Sequence, residues 1–157
     1  CWDTKYFYNI WRPILGVRRG QQDGNVLTTA DPNFEPLGAP RTNEPGRVNF
    51  TPNFPSYTSG HATFGAAIFW TLRRFYGRDD IPFTLNSDEF NGINVGMDGR
   101  PRPKRQRSFK SFTEALRENA RSRIYLGIHY QFDAYAGSDA GIRIANYVYG
   151  NVLRPLN

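Results

Sequence analysis

The chain holds two histidines, His61 and His129, and each lies beside groups that suit an anion. Ser59-Gly60-His61 stands just before a long apolar run. A serine hydroxyl, a backbone N–H with no side chain over it at Gly60, and the positive end of a helix dipole would therefore share one place. Taken alone, the tripeptide is also what an ordinary serine cap, a glycine turn and a half-buried histidine look like. Ser122-Arg123 and His129 come from one later segment, and Gly127 between them can bend the chain so that guanidinium and imidazole converge. Asp133 follows four residues after His129, the spacing at which a carboxylate on a helical turn can orient an imidazole. Lys5 and Arg12 are seven residues apart. On one helix they would share a face about 10 Å apart along the axis, within reach of two long side chains. Lysine and arginine are usually solvated, but Tyr6, Phe7, Tyr8, Ile10 and Trp11 leave this segment little polar surface, and buried cations need an anion. Lys5, Arg12 and Arg123 thus supply three cations, Ser59 and Gly60 supply neutral donors, and the imidazoles supply a nucleophile or ligand and an acid. A tetrahedral oxyanion fits this set.

Four helices are expected to carry these groups. Pro13 biases Arg12 away from helical dihedrals, so a first helix is predicted from Trp2 to Arg12. Residues 14–58 contain six prolines and little periodicity, which predicts a long ordered loop; a loop of that length in a compact domain is expected to cover a site. Ser59 is a natural N-cap for a buried helix that Gly77 ends. After an irregular region at 78–110, Ser111-Phe112-Thr113-Glu114 fits a capping box opening a helix to about Leu126, with Gly127 as its stop. Ser138 and Asp139 are expected to open the last helix, in which Ile142, Ala145, Val148, Tyr149 and Val152 keep helical spacing before Pro155. Strand signals are weak and there is no internal repeat. The fold class predicted is all-α: one domain over residues 1–157, a helical bundle with long irregular loops.

With 157 residues, 39% of them hydrophobic and 15% aromatic, the chain can bury a core. Its most apolar stretch, Ala62 to Leu72, stops at Arg73 and Arg74, short of the roughly 20 residues a membrane helix needs, so no membrane span is expected. The single cysteine, Cys1, excludes an internal disulfide framework and a cysteine-based zinc site. A chain that starts at Cys1 without methionine reads as a processed product or a fragment. The net charge of +6 resides in residues 100–110, where Arg100, Arg102, Lys104, Arg105, Arg107 and Lys110 stand without an acid. Pro101 and Pro103 mark that run as a solvated or mobile surface loop, and it lacks the interleaved aromatics of a strand-tracking groove, so no nucleic-acid partner is expected.

Three blocks, Lys5 with Arg12-Pro13, Ser59-Gly60-His61, and Ser122-Arg123 with His129 and Asp133, resemble the site shared by vanadium-dependent haloperoxidases and type 2 phosphatidic acid phosphatases. Thr58 stands where that family usually has proline, and the stretch between His61 and Ser122 is longer than usual. The resemblance implies that His129 bonds vanadium directly. Lys5, Arg12, Arg123, Ser59 and the Gly60 amide would hold the equatorial vanadate oxygens, and His61 would face the axial one. In a haloperoxidase, hydrogen peroxide displaces the axial oxygen with proton transfer through His61, Lys5 polarises the bound peroxide, and halide leaves as hypohalous acid. In a phosphatase acting on phosphate monoesters, phosphate takes the place of vanadate, His129 attacks phosphorus to give a phosphohistidine, and His61 protonates the leaving oxygen. Trp2 and Phe54 stand where chloroperoxidases carry aromatics near the halide, which favours the haloperoxidase. The fold implied is the C-terminal bundle of these enzymes. An N-terminal bundle or a partner chain would then be absent from this chain, and a third reading is an inactive oxyanion-binding fragment. The family implies a secreted or periplasmic location.

Overall fold

The computed structural model describes residues 1–39, 50–96 and 98–152. The chain opens with helix α1, Trp2–Tyr8, which stops earlier than Pro13 would require because Asn9 takes the left-handed conformation at φ 49° and returns its N–H to the Lys5 carbonyl. Asparagine tolerates that conformation better than most residues because its short polar side chain can bond locally. Arg12 is consequently not on the first helix: it is the extended N-cap residue of α2, Pro13–Arg18, with proline at the first helical position. The segment expected to be only loop therefore begins with a helix and a short 3-10 turn, Gly20–Gln22. Its residues 40–49, with Pro40 and Pro45, lie outside the described residues.

The long helices are α3, Gly60–Tyr76, α4, Phe112–Tyr125, and α5, Gln131–Asn151. Ser59 caps α3 through its hydroxyl, which accepts from the Ala62 N–H at 3.4 Å, and Gly77 closes it at φ 66°. Ser111 caps α4 by accepting from the Glu114 N–H at 3.1 Å, while the Glu114 carboxylate reaches the N–H of Lys110 instead of that of Ser111. Gly127, at φ 68°, follows the end of α4. The last helix begins a full two turns before the expected Ser138, which sits within α5 and bonds its hydroxyl to the Ala134 carbonyl at 3.0 Å. A serine satisfied this way inside a helix gives no cap. The expected stop at Pro155 lies outside the described residues.

Helices α3 and α5 meet through small residues. A Cβ at Gly141 would lie 2.3 Å from the Thr63 carbonyl oxygen, and one at Gly137 would lie 2.7 Å from that of Ser59. Ala62, Ala66, Ala134 and Ala145 are buried along the same seam. This close approach brings the N-terminal ends of α3 and α5 together, and it is the feature that positions the site. On the other flank of α3, Asn119 of α4 packs over Gly65 and donates to the His61 carbonyl at 2.7 Å.

The region between α3 and α4, where strand signals are weak, contains two short antiparallel strands, β1, Phe83–Asn86, and β2, Gln106–Phe109. They are four residues each, too short to give a period-2 signal, and Phe83 packs against both Phe109 and Phe112 of α4. The basic run is correspondingly less free than expected: part of it is β2, Arg102 pairs with Glu89 at 2.6 Å, and Arg107 pairs with Glu118. Among the described residues, no helix is long and apolar enough to cross a membrane.

Candidate functional site

The cations come first because their burial has to be explained. Lys5 is 3% exposed and Arg12 5%, although neither has a carboxylate in direct contact among the described hydrogen bonds and ion pairs. The Lys5 ammonium, on the inward face of α1, donates to the carbonyls of Pro55 and Ser56 at 3.0 and 2.9 Å. The Arg12 guanidinium donates through Nε to the Phe54 carbonyl at 2.8 Å and through one terminal nitrogen to the Ile128 carbonyl at 2.8 Å. Both cations lie over the Phe54 ring, at 5.2 Å for Lys5 and 4.9 Å for Arg12, and Trp2 packs edge-on to that ring with centroids 4.7 Å apart. The pair therefore meets, but through the end of α1 at Asn9 and a return over one aromatic ring instead of by sharing a helix face.

His129 is buried immediately before α5, and its ring is fixed at both nitrogens. Nδ1 lies 2.9 Å from Oδ2 of Asp133, which is fully buried in the first turn of α5. Nε2 lies 2.9 Å from a terminal nitrogen of Arg12. A guanidinium can only donate, so Nε2 is the acceptor and the proton sits on Nδ1, directed at Asp133. This tautomer leaves the Nε2 lone pair facing the cations, as a metal ligand or nucleophile requires.

Ser59 and Gly60 lie opposite, at the start of α3. Ser59 is fully buried and its N–H donates to the Asp133 carbonyl at 3.3 Å, which ties the two helix starts together. A Cβ at Gly60 would meet only Phe64 at 3.9 Å, so the backbone there is open. His61 and Arg123 line a cavity of about 1110 Å³ together with Phe54, Phe50, Tyr125 and, from the region between α3 and α4, Phe90. The Nε of Arg123 is buried and has no hydrogen-bond partner among the described residues. Buried donors are seldom left so.

The electrostatics follow from three crowded cations. Burial, with Arg12 adding to it and Asp133 opposing, lowers the Lys5 pKa to about 8. Burial likewise lowers Arg12 to about 10, again opposed by Asp133, and lowers Arg123. Loss of hydration, followed by the charges of Arg123, His129, Arg12 and Lys5, lowers His61 to about 4 although its side chain still reaches solvent. Burial lowers His129 too, with the Asp133 hydrogen bond working against it. Asp133 is thus, among the described residues, the one buried carboxylate near three cations. An anion among them would reverse each of these shifts.

Every residue singled out from the sequence is part of this one cluster. Nothing in the sequence marks Ser56, which is fully buried, donates its hydroxyl to Asp133 Oδ2 and lies 3.4 Å from His129 Nδ1. A serine in a proline-containing loop carries no signal of its own; only the path of residues 54–58 reveals it. Asn119, whose amide holds the His61 carbonyl, was also not singled out.

Residues 1–157 match the family described as the VCPO second helical-bundle domain. The vanadium chloroperoxidase of Curvularia inaequalis is 39% identical over 162 residues, which cover 88% of this chain and 26% of that protein. Among solved structures, a bacterial vanadium-dependent iodoperoxidase superposes with a TM-score of 0.63 at 31% identity, covering 96% of this chain and 29% of the other. A holo-type bacterial vanadium-dependent chloroperoxidase superposes with a TM-score of 0.68 at 20% identity, covering 95% and 31%, and shares the fold. The chain spans about a quarter of the length of the curated relative it matches, which is 26% covered.

Proposed function

Because the chain belongs to the family of the VCPO second helical-bundle domain, we propose that it carries the vanadate site of a vanadium-dependent haloperoxidase, which takes hydrogen peroxide and halide to hypohalous acid and water. The observation that carries this reading is the buried excess of positive charge, with Arg123 Nε left without a partner. A tetrahedral oxyanion supplies the acceptors this donor set lacks, so the residues fit vanadate. His129 would bond the metal through Nε2. Arg12, Arg123, the Ser59 hydroxyl and the Gly60 N–H would hold its oxygens, with the one ammonium hydrogen of Lys5 that Pro55 and Ser56 leave over. Bound there, vanadate would supply the Lewis acidity that makes peroxide electrophilic toward halide.

The protein's own part is to place donors and move protons. Turnover consumes one proton, and His61 is placed to handle it: neutral in the free site, it can accept a proton from incoming peroxide. An anion neutralising its cationic neighbours raises its pKa, so it can hold that proton and return it. Asp133 keeps the His129 proton on Nδ1. Phe54, backed by Trp2, gives the cations an apolar wall that would favour a partly desolvated halide.

The same Nε2 lone pair would serve a phosphatase, with His129 as nucleophile and His61 as general acid. The relatives, haloperoxidases, favour the first reading. The test is halogenation of a phenol by the vanadate-loaded chain with peroxide and bromide or chloride, beside hydrolysis of a phosphate monoester by the vanadate-free chain. Vanadate-dependent halogenation supports the haloperoxidase. Hydrolysis alone replaces it with the phosphatase, and vanadate binding with neither activity reduces the chain to an oxyanion-binding part of a larger site. In the same assay His129→Ala should lose vanadate binding by at least two orders of magnitude; binding within tenfold of the parent overturns the ligand assignment.

A further inference from the structure

Ser56 is where three separate constraints on the site meet. Its carbonyl accepts from the Lys5 ammonium at 2.9 Å, its N–H donates to the Ile10 carbonyl at 2.8 Å, and its hydroxyl donates to Asp133 Oδ2. Asp133 Oδ2 is the atom that also accepts from His129 Nδ1, whereas Oδ1 is buried without a partner. The carboxylate therefore has both its hydrogen bonds on one oxygen. A carboxylate held by His129 alone could turn about its Cβ–Cγ bond and weaken its hold on Nδ1. The Ser56 hydroxyl removes that freedom, since it is fully buried and its backbone is tied on both sides.

We propose that Ser56 is a positioning residue that fixes the Asp133 carboxylate, and through it the ring orientation of His129, in register with Lys5. This rests on the reading of the cluster as an oxyanion site with His129 as its ligand. The coupling has a chemical consequence. Lys5 and His129 come from opposite ends of the chain, and residue 56 sets one through its carbonyl and the other through its hydroxyl. The ammonium and the Nε2 lone pair are then held toward the same oxyanion with little left to reorganise on binding.

Ser56→Ala separates the two roles, because the backbone carbonyl that holds Lys5 is kept and only the hydroxyl is removed. The 157-residue chain and the variant would be compared by calorimetric titration with vanadate and with inorganic phosphate, and by ¹⁵N spectra of His129 without oxyanion. The expected result is roughly tenfold weaker binding of both anions, with the His129 Nδ1–H signal shifted and broadened as its hydrogen bond to Asp133 loosens. Ser56→Thr, which keeps the hydroxyl, should restore the wild-type signal. Should Ser56→Ala not fold, the near-isosteric Ser56→Cys, a weak donor, takes its place with an intermediate loss. Affinity within twofold of wild type together with an unchanged His129 spectrum overturns the proposal. Failure of the wild-type chain to bind either anion would instead overturn the oxyanion reading, while the His129 spectra would still judge the role of Ser56.

Discussion

In the chain free of oxyanion, folding stability should rise between pH 8 and pH 10, because Lys5 is buried as a cation and its ammonium pKa falls from 10.5 to about 8. In the unfolded chain the amine keeps its ordinary value. Between these two pH values the unfolded state binds more protons than the folded one, so the free energy of unfolding increases with pH. Below pH 8 both states are protonated and the full cost of the buried charge is present; above 10.5 both are neutral and it is gone. At about 1.4 kcal/mol per pH unit, the whole span amounts to about 3 kcal/mol, most of it recovered by pH 10. Saturating phosphate should remove the slope, because an anion beside the ammonium returns its pKa toward the unfolded value. Phosphate should also stabilise the chain at neutral pH, by about 2.7 kcal/mol at a hundred times its dissociation constant. The assay is urea unfolding followed by circular dichroism across this range, with and without phosphate, on the parent and on Lys5→Met, which keeps the length of the stem. The rise should be present in the free parent and absent from Lys5→Met and from the phosphate-saturated parent. Parallel profiles for the free parent and Lys5→Met would refute the reasoning, since Lys5 would then not be a cation held at a cost.

Asp133→Asn keeps the shape of the carboxylate but removes the buried anion facing the cations, and should cost about 3–5 kcal/mol in urea unfolding at neutral pH; a loss under 1 kcal/mol would mean that Asp133 is not balancing them. Gly141→Ala places a methyl 2.3 Å from the Thr63 carbonyl oxygen and should cost about 1–3 kcal/mol by forcing α3 and α5 apart. Because that seam sets the distance between Ser59 and Asp133, the same variant should also weaken phosphate binding, as calorimetry would show. The imidazole of His61 should titrate near pH 4 in the free chain by NMR and move upward when phosphate is added, as the charges of Arg123, Arg12 and Lys5 are neutralised; its contribution to stability is lost as pH falls from 6.5 toward 4, because the unfolded chain takes up the proton first.

The chemistry of the cluster was legible in residue types and spacing. Ser59-Gly60-His61 before an apolar run predicts a capped helix start, and that is where the structure puts it. His129 and Asp133, four apart, predict the hydrogen bond that is seen at 2.9 Å. These are local relations, fixed by the geometry of one turn and by the donor chemistry of each side chain. Caps at Ser111 and stops at Gly77 and Gly127 are local in the same sense.

What the tertiary structure decided is non-local. Whether Lys5 and Arg12 share a helix depended on Asn9 taking a left-handed conformation, a choice stabilised by how the next segment returns over Phe54. The start of α5 at Gln131 lacks a side-chain cap, so it left no mark in the sequence; Asp133 holding His129 and accepting the Ser59 N–H accounts for it. The two short strands exist because Phe83 finds both Phe109 and Phe112. Ser56 gained its place through the path of a loop, since a hydroxyl becomes specific only when burial removes water as its alternative partner. Residue types determined which groups could bind an anion, while packing alone decided which backbone carbonyls and hydroxyls would hold them still.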